Sequence, residues 1–211
     1  DLSQKNERKN FVKLHEVGHA VLPWQKSVHN ILQDDDNSLH LDTNEEFEAE
    51  ANYFASITLF QHDRFNFELD KLNLSIESAM SLAKIFGASV HASLRRYIEC
   101  SEKRCALLVL ENISAMGTPV QCNLRNKFLS KKFKKSFNDL IIPEVLGYKW
   151  LFVQDYYYKR KFKKNTSISL ITSNGNADFT YQFFYNGYNA FVFIFPLGEK
   201  KSSKTKIIIT Q

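Results

Sequence analysis

The sequence predicts an α+β chain, helical in its first half and built on an antiparallel sheet in its second. Apolar residues recur at steps of three and four through residues 6–22 and again through 47–60, the spacing of buried helix faces. Beyond Cys105 the pattern changes to short β-branched and aromatic runs separated by Gly-, Asn- and Lys-rich turns. Charge divides along the same line. Residues 1–75 hold seven basic against fourteen acidic side chains, 76–103 hold four against three, and 104–211 hold seventeen against six. The net charge of +5 over 211 residues therefore averages an acidic first third with a basic second half, and the mean alone is no argument for a nucleic-acid partner.

Composition narrows the class further. With 44% hydrophobic and 24% charged residues the chain is an ordinary globular one, which excludes collagen-like, low-complexity and largely disordered readings. The longest apolar run, Phe191 to Leu197, is strand length and well short of the roughly 18–20 residues of a membrane span. Cys100, Cys105 and Cys122 form no CxxC pair and cannot all be bridged, so a reducing, cytoplasmic compartment is expected rather than a secreted disulfide scaffold. The chain opens on Asp1 without a Met and shows no secretory leader.

Taken in order, Phe11, Leu14, Val17, Gly18, Val21 and Leu22 form the inner face of a first, buried helix over 6–22, which Pro23 ends by removing a backbone donor. Residues 24–44, with Asp34 to Asp36 in a row, read as a long acidic loop with a short strand near Ser38 to Leu41. A second helix is expected to be capped by Thr43 or Asn44, with Glu45 and Glu46 suited to its positive end, and to run through Phe60. Residues 75–100 read as two short helices broken at Gly87, the first capped by Ser75 with Ser78 at the capping-box position, a helix-turn-helix pattern. Strands are expected at Ala106 to Leu110, Trp150 to Val153, Ser167 to Ile171, Phe179 to Phe184, Ala190 to Phe195 and Lys206 to Ile209. Asn174-Gly175 and Asn186-Gly187 mark hairpin turns.

Chemistry concentrates in His15-Glu16-Val17-Gly18-His19, an HExxH motif inside the first helix. Positions i and i+4 share a helix face, so both imidazoles can meet one metal ion while Glu16 stands beside it as a general base for the attacking water. A catalytic zinc site typically takes three protein ligands, so a third is required. Leu22 and Gln25 stand where the metzincin pattern needs Gly and His, which removes that class. Glu45, Glu46, Glu48 and Glu50 on the second helix are all within reach. Glu48 is preferred because Asn52 lies one turn on, where it could support a ligand histidine, and because Ala51 and Ala55 on its face allow close helix approach. Glu50 is read as a solvated face. His29, His40, His62 and His91 lack a partner at ligand spacing and are read as surface or satisfied histidines.

These two segments, NFVKLHEVGHAVLPW and EFEAEANYFASITLF, resemble the ImmA/IrrE metallopeptidases, which carry HExxH followed by an E-x-x-A-N-x-F-A segment. The resemblance implies one Zn2+ ion held by His15, His19 and Glu48, with Glu16 as catalytic base. It implies a zincin-like domain over 1–69, lacking part of the strand and helix that precede HExxH in the family, a helix-turn-helix unit over 70–103 and a GAF-like sheet domain over 104–211. The implied activity is cytoplasmic, site-specific cleavage of a helix-turn-helix transcriptional repressor, releasing stress-response or mobile-element genes, with no membrane partner. A competing reading is a DNA-binding regulator using His91, Arg95 and Arg96 with the basic stretches 125–135 and 159–164. It is not favoured, because the helical unit nets only +1.

Overall fold

The structure, a computed structural model, describes residues 6–25, 41–114 and 119–199. The expected acidic loop and short strand before Leu41, His29, His40 and the strand expected at Lys206 to Ile209 lie outside the described residues. The chain divides into two compact units, residues 1–68 with 81–90 and residues 69–80 with 91–211.

The first unit is helical. Helix α1 (Asn6–Val21) closes with the Leu22 N–H donating to the Gly18 carbonyl at 3.0 Å, and residues 23–25 make one further helical turn beyond Pro23. Helix α2 (Leu41–Phe60) starts before the caps expected at Thr43 or Asn44, since cap preference biases a helix start without fixing its residue. The two helices meet where both lack bulk. Gly18 is buried, and a Cβ added there would lie 3.2 Å from both Ala51 Cα and Phe54 Cδ1. Ala51 and Ala55 are fully buried, as their small size on the Glu48 face predicts. The buried-helix expectation for α1 holds only in part: Val12, Val17 and Val21 are exposed. Helix α3 (Asp63–Leu69) and the end of α4 (Ile76–Phe86) complete this unit through Phe60, Phe65 and Phe86, whose ring centroids lie 5.1–6.0 Å apart. Asn10 donates to the Gly87 carbonyl at 3.1 Å, and Gly87 takes φ +60°, the left-handed turn its missing Cβ permits.

The second unit begins with the first turn of α4. Ser75 caps it by accepting from the Ser78 N–H, and Ser78 Oγ meets Ser75 Oγ at 3.1 Å, the hydroxyl exchange that the capping position foretold. Helix α5 (Val90–Cys100) follows, and the helical pair α4 and α5 is thus shared between the two units.

The rest is a six-stranded antiparallel sheet of order β3-β2-β1-β6-β5-β4, formed by β1 (Ala106–Ser114), β2 (Gln121–Leu129), β3 (Val145–Gly147), β4 (Phe162–Thr172), β5 (Gly175–Tyr185) and β6 (Ala190–Pro196). The central strand β6 is buried along its whole length because both sheet faces are covered, which is why it reads as an unbroken apolar run. On one face Phe179, Tyr181 and Phe183 join Phe133, Phe152 and Leu108 in the core; on the other, Tyr97 of α5 packs edge-on against Phe193. Gly175 and Gly187 take positive φ in the expected turns.

Three expectations in this half are corrected. Trp150 to Val153, read as a strand, opens helix α7 (Leu151–Tyr157), whose buried residues Phe152, Val153, Asp155 and Tyr156 follow helical and not alternating spacing. A four-residue apolar run cannot separate the two periods by itself. Strand β2, not foreseen, is drawn in by pairing with β1 despite its polar composition, and β3, also not foreseen, by pairing with β2. The basic stretch 125–135 runs from β2 into helix α6 (Lys131–Phe137), which was not foreseen; it is capped by Ser130 and anchored by Phe133 and Phe137 against Phe179, so its lysines form a helix's outer face. Cys105 and Cys122 are buried and free, and burial pushes both thiols up to about 12.

Buried Asp155 gathers the Tyr181 hydroxyl at 2.7 Å, Lys163 at 3.0 and 3.1 Å and Arg160 at 3.2 Å. Tyr181→Phe removes the shortest of these bonds and is expected to cost about 1–3 kcal/mol in urea denaturation; an unchanged midpoint would show that the hydroxyl adds nothing. Gly18→Leu is expected to destabilise the helical unit by about 1–3 kcal/mol through overpacking against Ala51 and Phe54, read as a lowered thermal midpoint; wild-type stability would refute the tight crossing.

Candidate metal centre

His15 and His19 lie one helical turn apart on α1, and the crossing at Gly18 and Ala51 brings Glu48 of α2 onto the same face. His15 Nε2 and His19 Nε2 are 3.1 Å apart, Glu48 Oε2 is 3.3 Å from the first and Glu48 Oε1 is 3.4 Å from the second. The imidazole rings meet edge to face, with centroids 4.6 Å apart at 87°. Each residue thus aims one donor atom at a common point, and together they form a group that could hold a metal ion.

The spacing bears on what fits there. Around a tetrahedral ion with bonds of about 2.0–2.1 Å, ligand atoms stand about 3.3–3.4 Å from one another. The two carboxylate separations match that edge length, one to each Glu48 oxygen, and the imidazole nitrogens at 3.1 Å are slightly closer. The donor set, two imidazole nitrogens and one carboxylate, is one that zinc accepts, and a dication would offset the repulsion among three converging lone pairs. His15 and His19 are mostly enclosed while the Glu48 side chain is 59% exposed, so the group opens to solvent on the α2 side.

Of the other residues singled out, Glu16 is exposed on α1 beside His15, with no ion-pair partner among the described residues. Glu45 and Glu46 are exposed. Asn52 does not support either histidine: it is exposed, His15 Nδ1 is buried without a hydrogen-bond partner among the described residues, and His19 Nδ1 is engaged elsewhere. That engagement is with Gln25, a residue the sequence reading used only to exclude the metzincin pattern. Its wholly buried amide meets His19 Nδ1 at 2.7 Å, the Phe47 carbonyl at 3.1 Å and Glu50 at 2.9 Å. Glu50 is therefore no solvated face. Trp24 Nε1 and then Gln25 donate to its carboxylate, and these two bonds hold it below the usual carboxylate range. The signal available in the sequence was a lone amide six residues past His19, just after the Pro23 turn.

Among the described residues, no other histidine joins this group. His62 is exposed and pairs with Asp63 at 2.8 Å. His91 packs its ring 5.3 Å from that of Phe191, and burial, then Arg125 and Arg95, lowers its pKa.

Known proteins bear on the first half of the chain. Residues 3–97 match the family model described as the IrrE N-terminal-like domain, a peptidase family. No curated protein matches the chain significantly. A solved structure described as a Mycobacterium tuberculosis transcriptional regulator is similar at 12% identity and a TM-score of 0.49, over 97% of this chain and 68% of that one, a likeness too low to carry an argument. No helix among the described residues is long and apolar enough to cross a membrane. Residues 3–97, which enclose the convergent histidines and carboxylate, are thus similar to the IrrE N-terminal-like domain of the ImmA/IrrE-type metallopeptidases, a family that implies a bound metal, typically zinc.

Proposed function

We propose that the chain is a zinc-dependent metallo-endopeptidase, with His15, His19 and Glu48 as metal ligands and Glu16 as catalytic base. The observation that carries the reading is the 3.1–3.4 Å triangle of His15 Nε2, His19 Nε2 and the Glu48 carboxylate on two helices of a peptidase-family domain. A zinc ion held there supplies Lewis acidity and makes water nucleophilic near neutral pH. The protein's own groups do the rest. His15 and His19 present neutral imidazole nitrogens, and Glu48 adds one negative charge that partly offsets a dication. Glu16, exposed and next to His15 in the chain, takes a proton from the attacking water and returns it to the leaving amine. The open side at Glu48 gives a polypeptide substrate room to approach.

The proposed substrate is a helix-turn-helix transcriptional repressor, cleaved in the cytoplasm to relieve repression of stress-response or mobile-element genes. The family resemblance supports that choice of substrate, and three free thiols are in keeping with a reducing compartment. We read residues 1–69 as the zincin-like domain, 70–103 as the helix-turn-helix unit and 104–211 as the GAF-like domain. The Ser75 cap, the Gly87 turn and the antiparallel sheet support the last two. The DNA-binding alternative gains nothing from α5: Arg95 is held by Glu99 at 2.7 Å and lies over the Phe128 ring, and Arg96 also faces Glu99.

Glu16→Gln is expected to keep one zinc per chain yet lower the cleavage rate of a cognate repressor by at least about 100-fold. Full activity in that variant would refute the assigned base. Glu48→Ala is expected to lose zinc and activity together, measured by metal analysis of the purified protein; retention of stoichiometric zinc would move the third ligand to another carboxylate.

A further inference from the structure

The Gln25 amide makes hydrogen bonds in two directions, and the chemistry of its partners leaves one arrangement. Nε2 donates to the Phe47 main-chain carbonyl at 3.1 Å and to the Glu50 carboxylate at 2.9 Å. A carbonyl and an ionised carboxylate only accept, so the NH2 end of the amide must face them. Oε1 therefore faces His19, and an amide oxygen also only accepts. The His19 proton must then sit on Nδ1, 2.7 Å from Oε1. A neutral imidazole protonated at Nδ1 carries its lone pair on Nε2, the atom that faces His15 and Glu48.

We propose that Gln25 is a positioning residue: its buried amide, oriented by Glu50 and the Phe47 carbonyl, holds His19 in the Nδ1–H form with Nε2 free to ligate metal. Trp24, whose indole N–H also donates to the Glu50 carboxylate, steadies that acceptor. The consequence for metal binding rests on the reading of His19 as a ligand; the tautomer does not. His15 offers an internal contrast, since its Nδ1 is buried with no partner among the described residues. The His19 ring is thus oriented before metal arrives.

Two measurements on the purified chain test this. The first is the imidazole 15N spectrum of the metal-free wild-type protein, where His19 is expected to carry its proton on Nδ1; a proton on Nε2 would overturn the proposal without any variant. The second is zinc affinity by competition with a chelator, for wild type, Gln25→Leu and His19→Ala. Gln25→Leu is expected to bind zinc about 10–100-fold more weakly and to show a mixed His19 tautomer. Affinity within about twofold of wild type in Gln25→Leu would overturn the positioning role, given the 10–100-fold effect such supports normally have. His19→Ala binding zinc as tightly as wild type would instead remove the ligand reading beneath it, and the metal-free spectrum would then decide the tautomer alone.

Discussion

The close crossing of α1 and α2 at Gly18 and Ala51 is the constraint on which the candidate metal centre depends. One helix can present two ligand atoms a turn apart, but a third has to come from elsewhere, and its distance is set by how near the second backbone can lie. With no side chain at Gly18 and only methyl groups at Ala51 and Ala55, that approach is close enough to put Glu48 within 3.4 Å of both imidazoles. A larger residue at the crossing would separate the helices by more than a metal bond tolerates.

The polar residues beyond α1 act on the same geometry from the side. After Pro23 the chain turns so that Trp24 and Gln25 meet the first turns of α2, and the carboxylate of Glu50 becomes the shared acceptor. Adjacent acidic residues of one helix thus take unlike parts: Glu48 points to the histidines, and Glu50 ties down the amide behind one of them. The positive excess of the second half is spread over a sheet unit in which many basic groups, among them Arg104, Lys127 and Lys163, are already paired with carboxylates.

Much of this organisation was legible because it is local. HExxH in a helical context, the Ser75 cap, the glycine turns and the unbroken apolar run of β6 each depend on neighbours within a few residues. Helix α7 and strand β2 were not legible for the opposite reason. The apolar run at Leu151 to Val153 suits either period, and the polar β2 becomes a strand only because β1 offers it a ladder. Asn52 was chosen on spacing along α2, but the residue that meets His19 is Gln25, six positions on in the turn after α1.

By itself the sequence determined the residue types and the one-turn spacing that allow two histidines to share a metal, because helix geometry turns i and i+4 into neighbours without further information. It also narrowed the third ligand to four carboxylates on the following helix. Which residue supports His19, and the role of Glu50, were decided only by the tertiary structure. Both rest on Gln25, whose amide meets His19 six positions back but is oriented by Phe47 and Glu50 more than 20 positions away, where side-chain direction is set by helix crossing and backbone approach and no local pattern encodes it.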